Sequence, residues 1–124
     1  MLTVEHLDRI PRDPAYAEAA DFENRCKALT PAEIRDAAMI CAELAAAVHG
    51  YANSCEATAT TIAALHMTTH DDLAPLFRGI ETQNYRWTER LARDADTNHR
   101  AAMENLRAAG ALLWLAEQRE AGTS

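Results

Sequence analysis

From Leu73 to Ala116 one stripe of positions recurs every three or four residues: Leu73, Phe77, Ile80, Asn84, Trp87, Leu91, Ala95, Asn98, Ala102, Leu106, Ala109, Leu113 and Ala116. The mean step is roughly 3.6, the period of an α-helix. Asp71-Asp72 suits a helix start, and Pro75 falls in the first turn, where its missing N–H costs little. Asp94-Ala95-Asp96-Thr97-Asn98 is rich in side chains that compete for backbone hydrogen bonds, and asparagine on a core stripe is costly. The pattern fits one very long helix or two helices broken in that segment; the break is favoured, giving helices over about 72–94 and 97–120.

Upstream, Val4, Leu7 and Ile10 in the leader 1–12 are spaced for a short helical turn. Asp13-Pro14 reads as an N-cap followed by proline in the first helical position. It opens a helix over about 14–28 with Ala15, Ala19, Phe22, Cys26 and Leu29 on one face. Thr30-Pro31-Ala32-Glu33 is a capping box, in which hydroxyl and carboxylate each take the other residue's amide. The helix over 31–49 points Ile34, Ala37, Cys41, Leu44, Ala45 and Val48 inward and stops at His49-Gly50. Asn53 and Glu56 form a second capping box before a helix over 54–69, with Cys55, Ala59 and Ile62 inward. Its threonines make it the poorest helix former of the set.

Composition settles the class. Of 124 residues 27 are alanine, the best helix former, and only seven are aromatic. The expected fold is all-α, a compact bundle of four or five helices in a single domain over 1–124. No apolar run suits a signal peptide or a membrane span, and three cysteines without a CxxC spacing favour buried thiols in a reducing compartment. The cytoplasm is the expected location. The formal net charge is -7, and no lysine or arginine lies between Arg35 and Arg78. Asp36, Glu43, Glu56, Asp71 and Asp72 thus make the middle of the chain acidic, which disfavours direct binding to nucleic acid or anionic lipid.

Three groups of residues carry candidate chemistry. His66 and His70, four apart on a helix, share a face that suits a metal. No Glu-x-x-His pair accompanies them, so neither metal nor other cofactor is expected. Arg93-Asp94-Ala95-Asp96-Thr97-Asn98-His99 resembles the R-x4–6-H motif of HEPN-type ribonucleases, helical domains of about this size. The resemblance covers seven residues; it implies that paired protomers bring Arg93 to the scissile phosphate and His99 to the 2′-hydroxyl proton. Arg86, Arg90, Arg93, Arg100 and Arg107 form a basic line beside Tyr85 and Trp87, but acids three or four positions away can pair with them along a solvated face.

Leu112-Leu113-Trp114-Leu115 covers most of a helix circumference, since successive residues turn by about 100°. This is more apolar surface than one stripe needs: either the final helix is central and buried all round, or one face waits for a partner. The second is favoured, with Leu112, Trp114 and Leu115 at an interface and Trp114 as anchor. The expected function is non-enzymatic: a small acidic interaction module, an inhibitor or adaptor binding another protein. Its acidic residues, Asp36, Glu43, Glu56, Asp71 and Asp72, would complement a basic partner surface. One such protein would be a phage-type antagonist, of the anti-CRISPR kind, that partly mimics nucleic acid against a defence complex. The alternatives are the HEPN-like ribonuclease with Arg93 and His99, and a homo-oligomeric structural or metal-binding bundle.

Overall fold

In a computed structural model of the chain, residues 4–67 and 74–122 are described, with side chains for 5–64 and 83–122. Among them are five helices and no strand: α1 (Val4–Arg9), α2 (Pro14–Ala19), α3 (Phe22–Arg25), α4 (Pro31–Met67) and α5 (Ala74–Gly122). The protein is an all-α helical bundle. Its contacts gather into two compact units, Met1–Ala47 with Ala101–Ser124, and Val48–Arg100. The long helices α4 and α5 contribute to both.

Both predicted N-caps at the start of the chain form. The Tyr16 amide donates to Asp13 Oδ1 at 3.0 Å ahead of α2. The Glu33 amide donates to Thr30 Oγ1 at 3.2 Å, and the Thr30 amide to Glu33 Oε1 at 3.1 Å, closing the box that starts α4. The helix expected over 14–28 is instead two short ones. Asp21 takes the left-handed conformation, φ 58°, and Asn24 Nδ2 donates to its Oδ1 at 2.7 Å. Aspartate tolerates that region because a short polar side chain can bond locally. The reversal puts Ala17, rather than Ala15 or Ala19, inward before it, and Phe22, Cys26 and Leu29 inward after it.

Neither long helix breaks where its sequence is weakest. His49-Gly50 does not end α4, and Asn53 and Glu56 lie in mid-helix rather than in a cap. Hydroxyls return to the carbonyls four residues back: Ser54 to Gly50 at 3.1 Å, Thr58 to Ser54 at 2.9 Å and Thr61 to Ala57 at 2.9 Å. In α5 Asn98 Nδ2 donates to the Asp94 carbonyl at 2.7 Å, and Asp96 pairs with Arg100 at 3.1 Å. The polar side chains expected to compete with the helix are thereby spent inside it. Burial supplies the rest: a mid-helix glycine costs about 1 kcal/mol, offset where Ala52, Cys55 and Ile62 bury one face.

In the first unit, α4 contributes Ile34, Ala38, Ala42 and Ala45, and α5 contributes Ala102, Ala109, Leu112, Leu113, Leu115 and Ala116 to the buried set. The first turns of α4 meet the last turns of α5, where Arg35 Nη2 bonds Glu120 Oε2 at 2.7 Å. The N-terminal arm, α1 to α3, covers the remaining sides of α5 with Leu7, Ile10, Phe22, Cys26 and Leu29. Arginines tie the arm down. Arg12 joins Glu117 at 2.7 Å and donates to the carbonyls of Leu7 and Ile10. Arg119 donates to the carbonyls of Cys26 and, at 3.0 Å, Leu29. Arg107 bonds Asp13 at 3.1 Å and lies 4.7 Å over the Tyr16 ring.

These ties give the first unit a pH dependence with a definite sign. Asp13 is held below the ordinary aspartate value first by the Tyr16 amide and then by Arg107, and Glu120 is lowered by its bonds to Arg35. A carboxyl lowered in the folded state stabilises fully above its unfolded value, about 4, and loses that contribution as pH falls through the folded value. Urea midpoints at about pH 7 and about pH 3 should therefore differ more for the wild type than for an Asp13→Asn, Glu120→Gln variant. Equal acid losses in the two proteins would contradict the assignment.

In the second unit, the seam of α4 is Val48, Ala52, Cys55, Ala59 and Ile62, and that of α5 is Asn84, Thr88, Leu91, Ala95 and Asn98. Steps alternate between four and three, the heptad spacing of helices that pack along their length. Thr88 lies on this seam in place of Trp87, which is exposed; its hydroxyl donates to the Asn84 carbonyl at 2.8 Å. In the first unit a shift of one residue in the opposite direction puts half-buried Asn105 on the seam and leaves Leu106 exposed.

Candidate functional site

The segment Leu112–Leu115, expected at an interface, lies in the chain's own core. Leu112 and Leu115 are buried, Leu113 is fully buried, and Trp114 is half-buried against the same core. Four consecutive large residues around a helix can all be covered only if neighbours approach from several sides. Here α4 comes from one side and the N-terminal arm from the others. The surplus of apolar surface expected to face a partner is consumed within the chain.

The surface left over lies on α4 in the first unit. Ile40 is 59% exposed and Leu44 49% exposed, although the sequence pattern points Leu44 inward. Ala38, Ala42 and Ala45 take the buried positions, and the larger Ile40 and Leu44 point out. At about 100° per residue, Asp36, Ile40, Glu43 and Leu44 share an arc of about 100° on the helix. All four are exposed. The nearest cation of α4, Arg35, is engaged by Glu120 through both Nε, at 3.0 Å, and Nη2, at 2.7 Å. The result is an apolar pair bordered by two carboxylates. Two further apolar side chains of this unit, Met103 and Leu106, are exposed on α5.

The remaining acidic candidates are distributed differently. Glu56, in the second unit, accepts from His99 Nε2 at 2.8 Å, so its carboxylate is engaged within the chain. Asp71 and Asp72 lie outside the described residues, as do the side chains of His66 and His70.

Within the chain, Arg93 and His99 are not brought together. Arg93 is 80% exposed and its partner is Glu89 at 4.0 Å. His99 turns toward α4, to Glu56 and to His49, whose Nδ1 lies 3.1 Å from His99 Nδ1. Six residues along a helix amount to about 600°, which sets the two side chains roughly 120° apart around α5.

Of the pairings expected along the basic line, Glu89–Arg93 and Asp96–Arg100 are present, whereas Arg107 turns to Asp13 and Glu104 accepts from Tyr16. Gln83, Asn84, Arg86, Trp87 and Arg90 line a shallow open groove in the second unit. Among the described residues no group of three or more His, Cys, Asp or Glu side chains is placed to hold a metal ion, and no helix is long and apolar enough to cross a membrane. The three cysteines are unpaired thiols; Cys26 and Cys55 are buried, and partial burial pushes the Cys41 thiol up.

No protein-family model matches this chain, and no curated protein and no solved structure is significantly similar to it.

Proposed function

We propose that the chain is a non-enzymatic interaction module that binds another protein through the outer face of α4. The exposed Ile40–Leu44 pair, bordered by Asp36 and Glu43, is the observation that carries this reading. Apolar burial supplies affinity at such a face, while the carboxylates favour a partner with basic side chains around an apolar patch and speed the encounter. An inhibitor or adaptor fits this chemistry, including an antagonist that occupies the basic surface of a nucleic-acid-handling complex. Reduced thiols at Cys26, Cys41 and Cys55 suit a cytoplasmic setting.

The test is a photo-crosslinker at position 40 in the native cell, followed by titration of the captured protein against the purified chain. An Ile40→Glu, Leu44→Glu variant should bind at least about tenfold more weakly, a loss of about 1.4 kcal/mol, with its melting temperature little changed. Asp36→Lys with Glu43→Lys should slow association and flatten its salt dependence. Undiminished binding by the glutamate variant would refute the reading. So would a wild-type dimer in light scattering that the same variant dissociates, because the face would then close on its own copy. Cleavage of RNA by the purified chain, abolished by Arg93→Ala or His99→Ala, would establish an enzyme instead.

A further inference from the structure

In the second unit, His49 of α4 and His99 of α5 face each other through their Nδ1 atoms at 3.1 Å, with ring centroids 4.8 Å apart and planes at 59°. The opposite nitrogen of His99, Nε2, meets Glu56 Oε1 at 2.8 Å. A carboxylate can only accept, so Nε2 carries the proton and a neutral His99 presents a lone pair at Nδ1. In the protein alone, His49 Nδ1–H donates into that lone pair. When His49 shifts its proton to Nε2, two lone pairs converge on one point from two helices.

We propose that His49 and His99 form a binding site for a divalent transition-metal ion that prefers imidazole, of the zinc class. Zinc binds imidazole nitrogen at about 2.0–2.1 Å, which with tetrahedral angles sets two ligand nitrogens about 3.3 Å apart. The observed 3.1 Å is within a few tenths of an ångström of that spacing. Glu56 supplies the carboxylate that metal-binding histidines commonly hold at their other nitrogen, fixing the tautomer and raising ligand basicity. His49 is exposed, so water reaches the ion and completes its coordination. Imidazole donors without thiolate select zinc, copper or nickel over magnesium and calcium. The bound ion cross-links α4 to α5 within this unit and stabilises it by binding the folded form alone. The site is independent of the Ile40–Leu44 face.

The experiment is calorimetric titration of the metal-stripped, full-length chain with Zn2+, alongside thermal melts with and without the ion. One saturable equivalent is expected, with a rise in melting temperature. Both effects should disappear in His49→Ala and in His99→Ala. Glu56→Gln should keep the stoichiometry and weaken binding about 10–100-fold. Nitrogen-15 shifts of the wild-type imidazoles read the same site without a substitution: Zn2+ should move Nδ1 of both His49 and His99, and Nε2 of His49 as its proton moves there, while Nε2 of His99, bonded to Glu56, stays in place. Absence of a saturable equivalent overturns the proposal. So does a binding event that survives His49→Ala or leaves both Nδ1 shifts in place, since the ion would then lie on other side chains.

Discussion

Gly110→Ala is expected to lower the melting temperature, while the same substitution at Gly50 raises it. Both glycines lie inside long helices, where alanine is better by about 1 kcal/mol. At Gly50 nothing lies within 4 Å of the added methyl, so the helical gain stands alone. At Gly110 the new carbon would run into the Pro11 carbonyl oxygen, with the Pro11 carbonyl carbon at 3.3 Å and the Asp13 nitrogen at 3.6 Å.

Those atoms are backbone, and the backbone is held. Arg12 donates to the carbonyls of Leu7 and Ile10 and bonds Glu117, and Asp13 is fixed by Arg107. Overpacking of this kind costs about 1–3 kcal/mol or more, which outweighs the propensity gain. A net loss of about 2 kcal/mol corresponds to a fall of roughly 8 °C for a chain of this size. The arm should also become easier to open, exposing amides of 4–12 to faster hydrogen exchange. A Gly110→Ala protein as stable as Gly50→Ala would show that the arm does not lie against α5 at this point.

The same contact marks a limit of what periodicity can reveal. Gly110 is an isolated glycine within a helical pattern, and nothing local to it says that Pro11 crosses there. The class of fold, the capping box at Thr30 and Glu33 and the cap at Asp13 were legible, because each depends on residues within one turn of helix. The continuity of α4 and α5 was not. Gly50 and the Asp94–Asn98 segment carry real local costs, and what offsets them is burial against another helix together with bonds such as Asn98 to Asp94.

Orientation was the second loss. The expected stripe and the observed seam share Asn84, Leu91, Ala95, Asn98, Ala102 and Ala109 and differ only in the order of their three- and four-residue steps, which exchanges Trp87 for Thr88 and Leu106 for Asn105. On α4 the weight given to large apolar residues favoured Leu44 as core, whereas the seam is built from Ala38, Ala42 and Ala45. Alanine seams reverse the usual inference from side-chain size. The Ile40–Leu44 face was therefore hidden in plain hydrophobicity. The pairing of His49 with His99 and Glu56 was hidden by sequence distance, since nothing in the order of residues aligns 49 and 56 with 99.

An alanine core also concentrates stability in few residues, so Leu113→Ala should be the most damaging single truncation. Only Ile34 and Leu113 are large and fully buried among the described residues; most of the remaining buried positions are alanine. Removing a buried leucine costs about 2–5 kcal/mol, through lost transfer energy and the cavity left behind. Leu113 belongs at the upper end of that range, because its neighbours cannot collapse easily. Ala109 and Ala116 are small, and the arm is anchored by Arg119 to the Cys26 and Leu29 carbonyls.

A loss of about 4 kcal/mol is a large share of the roughly 5–15 kcal/mol that holds a domain of ordinary stability. Urea denaturation should show the midpoint falling steeply for Leu113→Ala, while Leu44→Ala stays within about 0.5 kcal/mol of wild type. The comparison isolates burial from chemistry, since both changes remove the same atoms from a helical leucine. Equal midpoints for the two variants would mean that Leu113 is not the keystone of this core, and would return the Leu112–Leu115 segment to the surface.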